Sequence, residues 1–449
     1  MREIVDGLGY VPKSCTWELT LACNLRCGHC GSRAGNPRPD ELGRPRLLEI
    51  ANELADLGCR TLTLSGGEPT LSKHWEAVGA EAAGRGIAVN MITNAARADK
   101  ELPRRAKEAG LVSIAASLDG LEATHDRHRG LPGSFKRVMA LIEACHAAGP
   151  PVGVVTTLQK RNVRELDAIE ELLAGKVYVW QLQLGAAMGN LLEHRSEQLD
   201  PKDLLQLIPA LAGLVERSPI NIRIANNIGY YGKYESTLRR HRSTPVECWV
   251  GCFAGCRHLG IQSDGSVKGC LSLQATEETE GSLAEHALAD IWHREGAFSY
   301  NRSFSTDSLT GFCRTCEHAD ICRGGCFSMR TCEGGSENPF CYHRVATLDA
   351  RSLVKSKRRY APLALAPAAL LAAFGIGCAG DKPQGPPPAA PTADPFPGEP
   401  PSGEPPSVDK YGIDEPPPGD PPSVAEYAVE APPDQPPMTT KYGVPPPKE

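Results

Sequence analysis

The sequence predicts an α/β fold, a parallel sheet with helices outside, followed by a small cysteine-rich α+β region and a disordered Pro-rich tail. Three observations predict it. Short β-branched runs alternate with helical stretches between residues 16 and 184. The 17 cysteines fall in tight clusters, unlike the spread of a secreted disulfide framework. Composition breaks near residue 380, beyond which 23 of the chain's 39 prolines fall in 69 residues.

Taken in order, Thr16 to Leu21 reads as a first strand that delivers Cys23 into the following loop. Arg46 to Leu57 carries Leu47, Ile50, Leu54 and Leu57 on one helical face. Thr61 to Ser65 is a strand, Trp75 to Ala83 a helix, and Ile87 to Thr93 a strand that ends at Asn94. Glu101 to Ala109 is helical, and Val112 to Leu118 is a strand running into Asp119-Gly120. A helix over Phe135–Ala148, a strand over Val152–Thr157, a helix over Val163–Leu173 and a strand over Val177–Leu184 follow. Leu204 to Val215 is one more helix. Ligands of such sheets bind at the carboxyl ends of the strands. Cys23, Gly66, Asn94 and Ser117 all fall at such ends and are expected at one mouth. Asp264-Gly265 is a hairpin signal, so Leu259 to Cys270 should form two short strands.

Length and charge bound the rest. The chain of 449 residues has room for two or three domains. Its formal net charge of −6 argues against general nucleic-acid binding. The tail from Asp381 holds twelve acids against four lysines, about −8, which leaves the remainder near +2. Met1 to Leu19 is mixed and polar, without a signal-peptide pattern. The cysteine usage suits a reducing compartment, so a cytoplasmic catalytic region is expected.

Cys23-Asn-Leu-Arg-Cys27-Gly-His-Cys30 puts three thiols within eight residues. A structural zinc site wants four protein ligands, and no local cysteine is the fourth. A four-iron cluster held by three thiolates keeps one iron open. A zinc knuckle, or a trio completed by a distant cysteine, is the alternative. Ser65-Gly66-Gly67-Glu68-Pro69-Thr70 follows a short β-rich run, where two glycines at a strand end let backbone approach a ligand closely. Together these motifs resemble the radical S-adenosylmethionine (SAM) superfamily. His29 departs from that family's pattern, which usually has an aromatic residue there. The resemblance implies a partial (β/α)6 parallel barrel and a 4Fe–4S cluster on Cys23, Cys27 and Cys30. It also implies SAM bound through Gly66, Gly67, Glu68 and Pro69, with Asn94, Ser117 and Asp119 on its ribose, methionyl or adenine parts. Each of the last three could equally cap a helix or turn. An electron donor such as ferredoxin or flavodoxin is implied as well. No individual catalytic side chain is assigned. Ser117-Leu-Asp-Gly, His125-Asp126-Arg127-His128-Arg129-Gly130 and Gly133-Ser134-Phe135 look like peptide-modifying members of the superfamily. Cys59 and Cys145 read as small buried hydrophobes.

The second cysteine region resembles the SPASM extension, which carries auxiliary iron–sulfur clusters. Its pattern of Cys, Gly-x4-Cys, Cys-x2-Cys-x5-Cys-x3-Cys and a final Cys is all present. The resemblance implies one auxiliary 4Fe–4S cluster on Cys313, Cys316, Cys322 and Cys341. The other takes Cys252, Cys270, Cys326 and either Cys248 or Cys256, with Cys248 preferred for its upstream place. Two zinc sites are the alternative. Cys332 has no slot. Leu271 and Ser272 follow Cys270 where sulfatase-maturing relatives place an acidic residue, which points to a different product.

The expected organisation is a radical SAM core at 10–225, a SPASM-like domain at 226–350, a basic and apolar segment at 351–380, and the tail at 381–449. The apolar run Ala361 to Gly377 before Cys378 reads as a lipoprotein-signal-like or membrane segment, with a buried hairpin as the alternative. In the tail, Tyr411, Tyr427 and Tyr442 recur in a charged–Tyr–small–(Ile/Val) pattern. The expected function is oxidative modification of a peptide or protein, with crosslinking of these tail motifs as its sharpest form and low-complexity drift as the bland one. A non-catalytic metal scaffold, or a membrane-tethered protein with a Pro-rich binding tail, is the competing class.

Overall fold

The computed structural model describes residues 9–240 and 248–359. Its frame is a run of parallel strands: β1 (Ser14–Glu18), β2 (Thr61–Ser65), β3 (Ala88–Thr93), β4 (Leu111–Ser117), β5 (Val152–Leu158), β6 (Val179–Leu184) and β7 (Asn221–Ile224). They lie side by side in sequence order, each parallel to the next. The intervening helices are α1 (Arg44–Asp56), α2 (Trp75–Gly84), α3 (Leu102–Glu108), α4 (Glu122–Arg129), α5 (Ser134–Ala148), α6 (Leu166–Leu173) and α7 (Leu204–Arg217).

The pattern of residues explains this architecture. Along β6, Trp180, Leu182 and Leu184 are buried while Gln181 and Gln183 alternate with them. The apolar set packs under the helices and the polar set faces the interior of the sheet's curve. α1 begins with a proline in its first turn, where the missing N–H costs nothing, and buries Leu47, Ile50, Ala51 and Leu54. α6 buries Leu166, Ile169 and Leu173 by the same rule. Trp17, Trp75 and Trp180 are fully buried in this core; large side chains of this kind dominate core energetics.

Three features differ from the sequence reading. β7 is a seventh parallel strand, and α4 is a helix that apolar periodicity does not reveal. β1 also ends at Glu18 rather than Leu21. The chain turns out of the sheet because Glu41 Oε1 accepts from Leu21 N (2.8 Å) and Thr20 Oγ1 (3.0 Å).

The cysteine-rich region begins as a continuation of the same sheet. β8 (His258–Ile261) pairs parallel with β1, from Ser14 opposite His258 to Trp17 opposite Ile261. β9 (Ser266–Lys268) and β10 (Gly281–Ser282) follow antiparallel. The sheet order is β10-β9-β8-β1-β2-β3-β4-β5-β6-β7. The hairpin turn falls at Asp264-Gly265, where Asp264 Oδ1 accepts from Ser266 N (2.9 Å) and Gly265 has φ +88°. Short helices follow at Ser299–Arg302, Gly311–Arg314, Ala319–Cys322 and Phe327–Cys332, then a final helix at Tyr342–Arg359. Among the described residues no helix is long and apolar enough to cross a membrane. The apolar run 361–377, Cys378 and the tail with Tyr411, Tyr427 and Tyr442 lie outside the described residues.

Candidate functional site

The cysteine loop is closed at its base. Cys23 N donates to Gly35 O (2.9 Å) and Gly35 N to Leu21 O (3.0 Å). Buried Glu18, at the end of β1, pairs with Arg38 (2.7 Å) and accepts from Ser263 Oγ (3.1 Å), which ties the loop's return to the hairpin of the cysteine-rich region. Inside the loop, backbone N–H groups point at sulfur: Leu25 N lies 3.5 Å from Cys23 Sγ and Ala34 N 3.4 Å from Cys30 Sγ. Such donors favour thiolates.

Gly66 and Gly67 stand against this loop. A Cβ on Gly66 would lie 2.3 Å from Thr20 O, and one on Gly67 2.3 Å from Ala22 O and 2.5 Å from Leu21 O. Gly67 N donates to Thr20 O (2.8 Å) and Glu68 N to Ala22 O (2.9 Å). The glycines therefore let two backbones meet and hold the cysteine loop at the end of β2, while both also line the cavity beyond. Glu68 is turned away from that cavity. Its carboxylate accepts from Asn94 N (2.8 Å), Thr93 Oγ1 (2.8 Å) and Thr70 Oγ1 (2.7 Å). Burial pushes its pKa up against these hydrogen bonds. Pro69 is buried at the start of a single tight turn, Pro69–Leu71. Both shape the wall from behind.

The cavity itself is about 470 Å³. Cys23, Cys27 and Cys30 line it, with Gly66, Gly67, Asn94 and Ser117 at the strand ends. Asn94 donates to Asn24 Oδ1 (2.9 Å) and lies 3.6 Å from Cys23 Sγ. Asp119 is placed behind the wall, not on it. It is fully buried and pairs with Arg129 Nη2 (2.7 Å) and His29 Nε2 (3.1 Å), and it accepts from Thr157 N (2.9 Å). Burial works to raise its pKa, but Arg129 and His29 hold it well below the usual carboxylate range. Asp119 thus acts through Arg129 and His29, which do face the cavity.

Arg129 was not singled out by sequence. Its guanidinium is buried, lines the cavity and lies 4.0 Å from Cys27 Sγ. The segment that carries it is folded by its own polar residues. His125 Nδ1 accepts from Asp119 N (3.0 Å), Asp126 Oδ1 accepts from Phe135 N (2.8 Å), and Gly130 ends α4 at φ +66°. Thr157, Gln181, Gln183 and Asn227, from β5, β6 and the end of β7, complete a polar wall that sequence reasoning missed. The signal was present in Gln181 and Gln183, polar residues alternating with Trp180, Leu182 and Leu184.

The same cavity reaches Cys270 and Cys326 of the cysteine-rich region. Cys252 packs beside Cys326. Burial, then the neighbouring Cys326 and Cys270, push the Cys252 thiol up to about 12. Cys313, Cys316, Cys322 and Cys341 line a second pocket with Tyr230 and Tyr231. Burial, then Cys313 and Cys316, push Cys341 up to about 12. In the main cavity burial holds Cys27 at about 11, opposed by Arg129. Crowded buried thiols that resist ionising alone suit cationic metal, which binds them as thiolates. The donor sets therefore fit iron–sulfur clusters at all three places. Cys248 and Cys256 are separated: Cys248 acts on Tyr231 together with Cys322 and Cys316, whereas buried Cys256 acts on Tyr300 together with Cys252 and Cys270. Cys332 lines a groove that adjoins the cavity at Met188, Ser272 and Ser328. Cys59 and Cys145 are buried in the core.

A thiol trio at the mouth of a parallel half-barrel, linked by one cavity to a second cysteine set, defines a class of iron–sulfur proteins. The comparisons name it. Residues 17–173 match the radical SAM superfamily and residues 252–317 match the SPASM iron–sulfur cluster-binding domain. The chain carries a radical SAM domain and a SPASM domain, and these imply 4Fe–4S clusters and SAM as its cofactors. It is similar to the AdoMet-dependent heme synthase of Methanosarcina barkeri, 28% identical over 74% of this chain and 97% of that protein. It is also similar to the sporulation killing factor maturation protein SkfB of Bacillus subtilis, 31% identical over 63% of this chain and 65% of that protein. The fold matches that of Streptococcus suis SuiB bound to S-adenosylmethionine, with a TM-score of 0.59 at 17% identity over 74% of this chain and 76% of SuiB.

Proposed function

We propose that this enzyme oxidatively modifies a peptide or protein. Cys23, Cys27 and Cys30 hold the SAM-binding cluster. Cys313, Cys316, Cys322 and Cys341 hold one auxiliary cluster; Cys252, Cys270 and Cys326 form the greater part of the other. Bound there, the cluster and SAM would supply the radical chemistry that removes a hydrogen atom from the substrate. The chain's own part is to orient that substrate and exclude water. Gly66, Gly67, Asn94 and Ser117 shape the cofactor end, and Arg129 offers a fixed cation there.

The observation that carries the reading is the chemistry of the cavity beyond the cysteine loop. Apart from Arg129 its wall is amide-rich, with Gln181, Gln183, Asn226 and Asn227, and it opens towards a groove past Ser272 and Ser328. Side-chain amides both donate and accept, as a peptide backbone requires. The likeness to SkfB supports the same substrate class. The likeness to a heme synthase, across nearly all of that protein, supports a second reading in which a tetrapyrrole side chain is oxidised. Against it, a substrate with several carboxylates would meet only one arginine in the cavity wall, and Arg129 is already paired with Asp119.

Tyr411, Tyr427 and Tyr442 are the candidate targets within this chain, each to be joined to the residue two places on. Anaerobic co-production of the full chain, followed by mass spectrometry of the tail, tests this. A crosslink removes two hydrogens per motif, and Tyr442→Ala deletes one such loss. A tail of unmodified mass overturns self-modification and directs the search to a separate peptide. A SAM-dependent change in the absorption spectrum of an added iron porphyrin, with no change in any peptide, supports the heme reading instead.

A further inference from the structure

A second cavity, of about 340 Å³, lies against the cysteine loop and shares only His29 with the first. The loop is thus the partition between them, with Gly28 and His29 in the second cavity's wall. Arg26, Arg127, Arg161 and His194 are its exposed polar side chains. Glu197 is the one carboxylate in the wall; it pairs with Arg161 (2.8 Å). Three arginines against one glutamate leave the rim cationic. At its floor His128 is only 8% exposed, and neither of its ring nitrogens has a hydrogen-bond partner. Its ring stands 5.8 Å from that of His29. A buried imidazole without partners is costly unless something brought from outside completes it.

We propose that this basic cavity is the docking point for the acidic one-electron carrier protein that reduces the Cys23–Cys27–Cys30 cluster. The inference rests on the radical SAM reading of that site and adds its partner's place. Cofactor and substrate occupy the first cavity during turnover, so an electron donor needs another approach to the same loop, and the second cavity supplies one. The cationic rim steers a protein of opposite charge and fixes its orientation. A carboxylate side chain of the carrier would enter between the arginines and accept from the His128 ring.

The test compares two reductants on the reconstituted full-length enzyme. Formation of 5′-deoxyadenosine is followed with reduced flavodoxin as titrant and, separately, with dithionite, a small reductant that needs no docking. In the double variant R127E/R161E the half-saturating flavodoxin concentration rises by about tenfold or more and its salt dependence flattens, while the dithionite-driven rate stays at the unmodified value. R104E, on α3 outside this cavity, changes neither rate. His128→Phe raises the flavodoxin requirement without touching the dithionite rate. An unchanged flavodoxin titration in the double variant overturns the proposal. So does tight sulfate binding that is lost in His128→Phe while flavodoxin reduction is unaffected, since the cavity is then a site for a small anion. If dithionite itself yields no 5′-deoxyadenosine in the unmodified enzyme, the radical SAM reading fails instead; flavodoxin binding to the oxidised protein, measured by calorimetry with and without the charge reversals, then decides the docking claim separately.

Discussion

The two cysteine regions reach similar donor sets by opposite means. In the core, three cysteines sit within one loop that hydrogen bonds and close glycine contacts hold in place. That loop stands on strands whose apolar faces belong to one large buried cluster. In the auxiliary region the proposed ligands of one site run from Cys313 to Cys341: Cys313 and Cys322 sit on helices of four residues, Cys316 lies between those helices and Cys341 just precedes the final helix. The apolar groups around them are few: Tyr230, Trp249, Cys322 and Cys341 in one cluster, and Leu309, Cys313 and Ala319 in another. Much of that packing is the cysteines themselves. Short helices are marginal alone, and metal binding can be folding energy outright. The contrast predicts that the core cluster enters a prepared site and that the auxiliary region depends on its metal to fold.

The largest expected effect follows directly. When iron is removed from the full chain, amide hydrogen exchange over residues 311–341 rises towards that of an unfolded chain, while β2 to β6 stay protected. Equal protection in both regions would erase the contrast. Next is Asp119→Asn, which leaves buried Arg129 with its charge uncompensated. Breaking such a pair costs about 3–5 kcal/mol, read as a lower denaturation midpoint of the core. Because the Asp119 pKa is depressed on folding, its contribution is present in full above the ordinary aspartate value of about 4 and fades as pH falls below it. The gap between wild type and variant should be constant near neutrality and shrink in acid.

Gly67→Ala sharpens the claim that the core loop is prepared by backbone contact. The added methyl meets Ala22 O and Leu21 O, so the cysteine loop must move; overpacking of this kind costs roughly 1–3 kcal/mol. The expected result is weaker SAM-dependent change in the reduced cluster's paramagnetic spectrum, with auxiliary iron retained. The smallest effect is Gln183→Leu. Losing one hydrogen bond to a peptide substrate raises its KM by about fivefold, with 5′-deoxyadenosine formation from SAM alone unchanged.

Local chemistry made the core legible in sequence. Cys23, Cys27 and Cys30, the Gly66-Gly67 pair and the Asp264-Gly265 hairpin are signals spelled within a few residues, and β2, β3 and β6 carry clean alternation. What escaped is long-range or polar. Pairing of β8 with β1 joins residues some 240 apart, Ser14 with His258, and no local period encodes it. α4, Glu-Ala-Thr-His-Asp-Arg-His-Arg, has no apolar stripe; it is held by His125, Asp126 and the pairing of Arg129 with Asp119. Glu68 and Asp119 are implied as cofactor contacts by the family resemblance, and the structure turns both carboxylates to partners behind the cavity wall. Which way a strand-end carboxylate turns depends on partners from other segments, here Thr93 and Asn94 for one and Arg129 and His29 for the other.

The most direct measurement is iron content, paramagnetic spectrum and 5′-deoxyadenosine release of Cys27→Ala beside the unmodified enzyme. With two separate cysteine regions, three clusters give about twelve irons per chain and the variant keeps about eight. Its reduced spectrum should no longer respond to SAM, and 5′-deoxyadenosine should vanish. Undiminished 5′-deoxyadenosine from Cys27→Ala, or loss of the auxiliary iron along with the core cluster, would contradict the account.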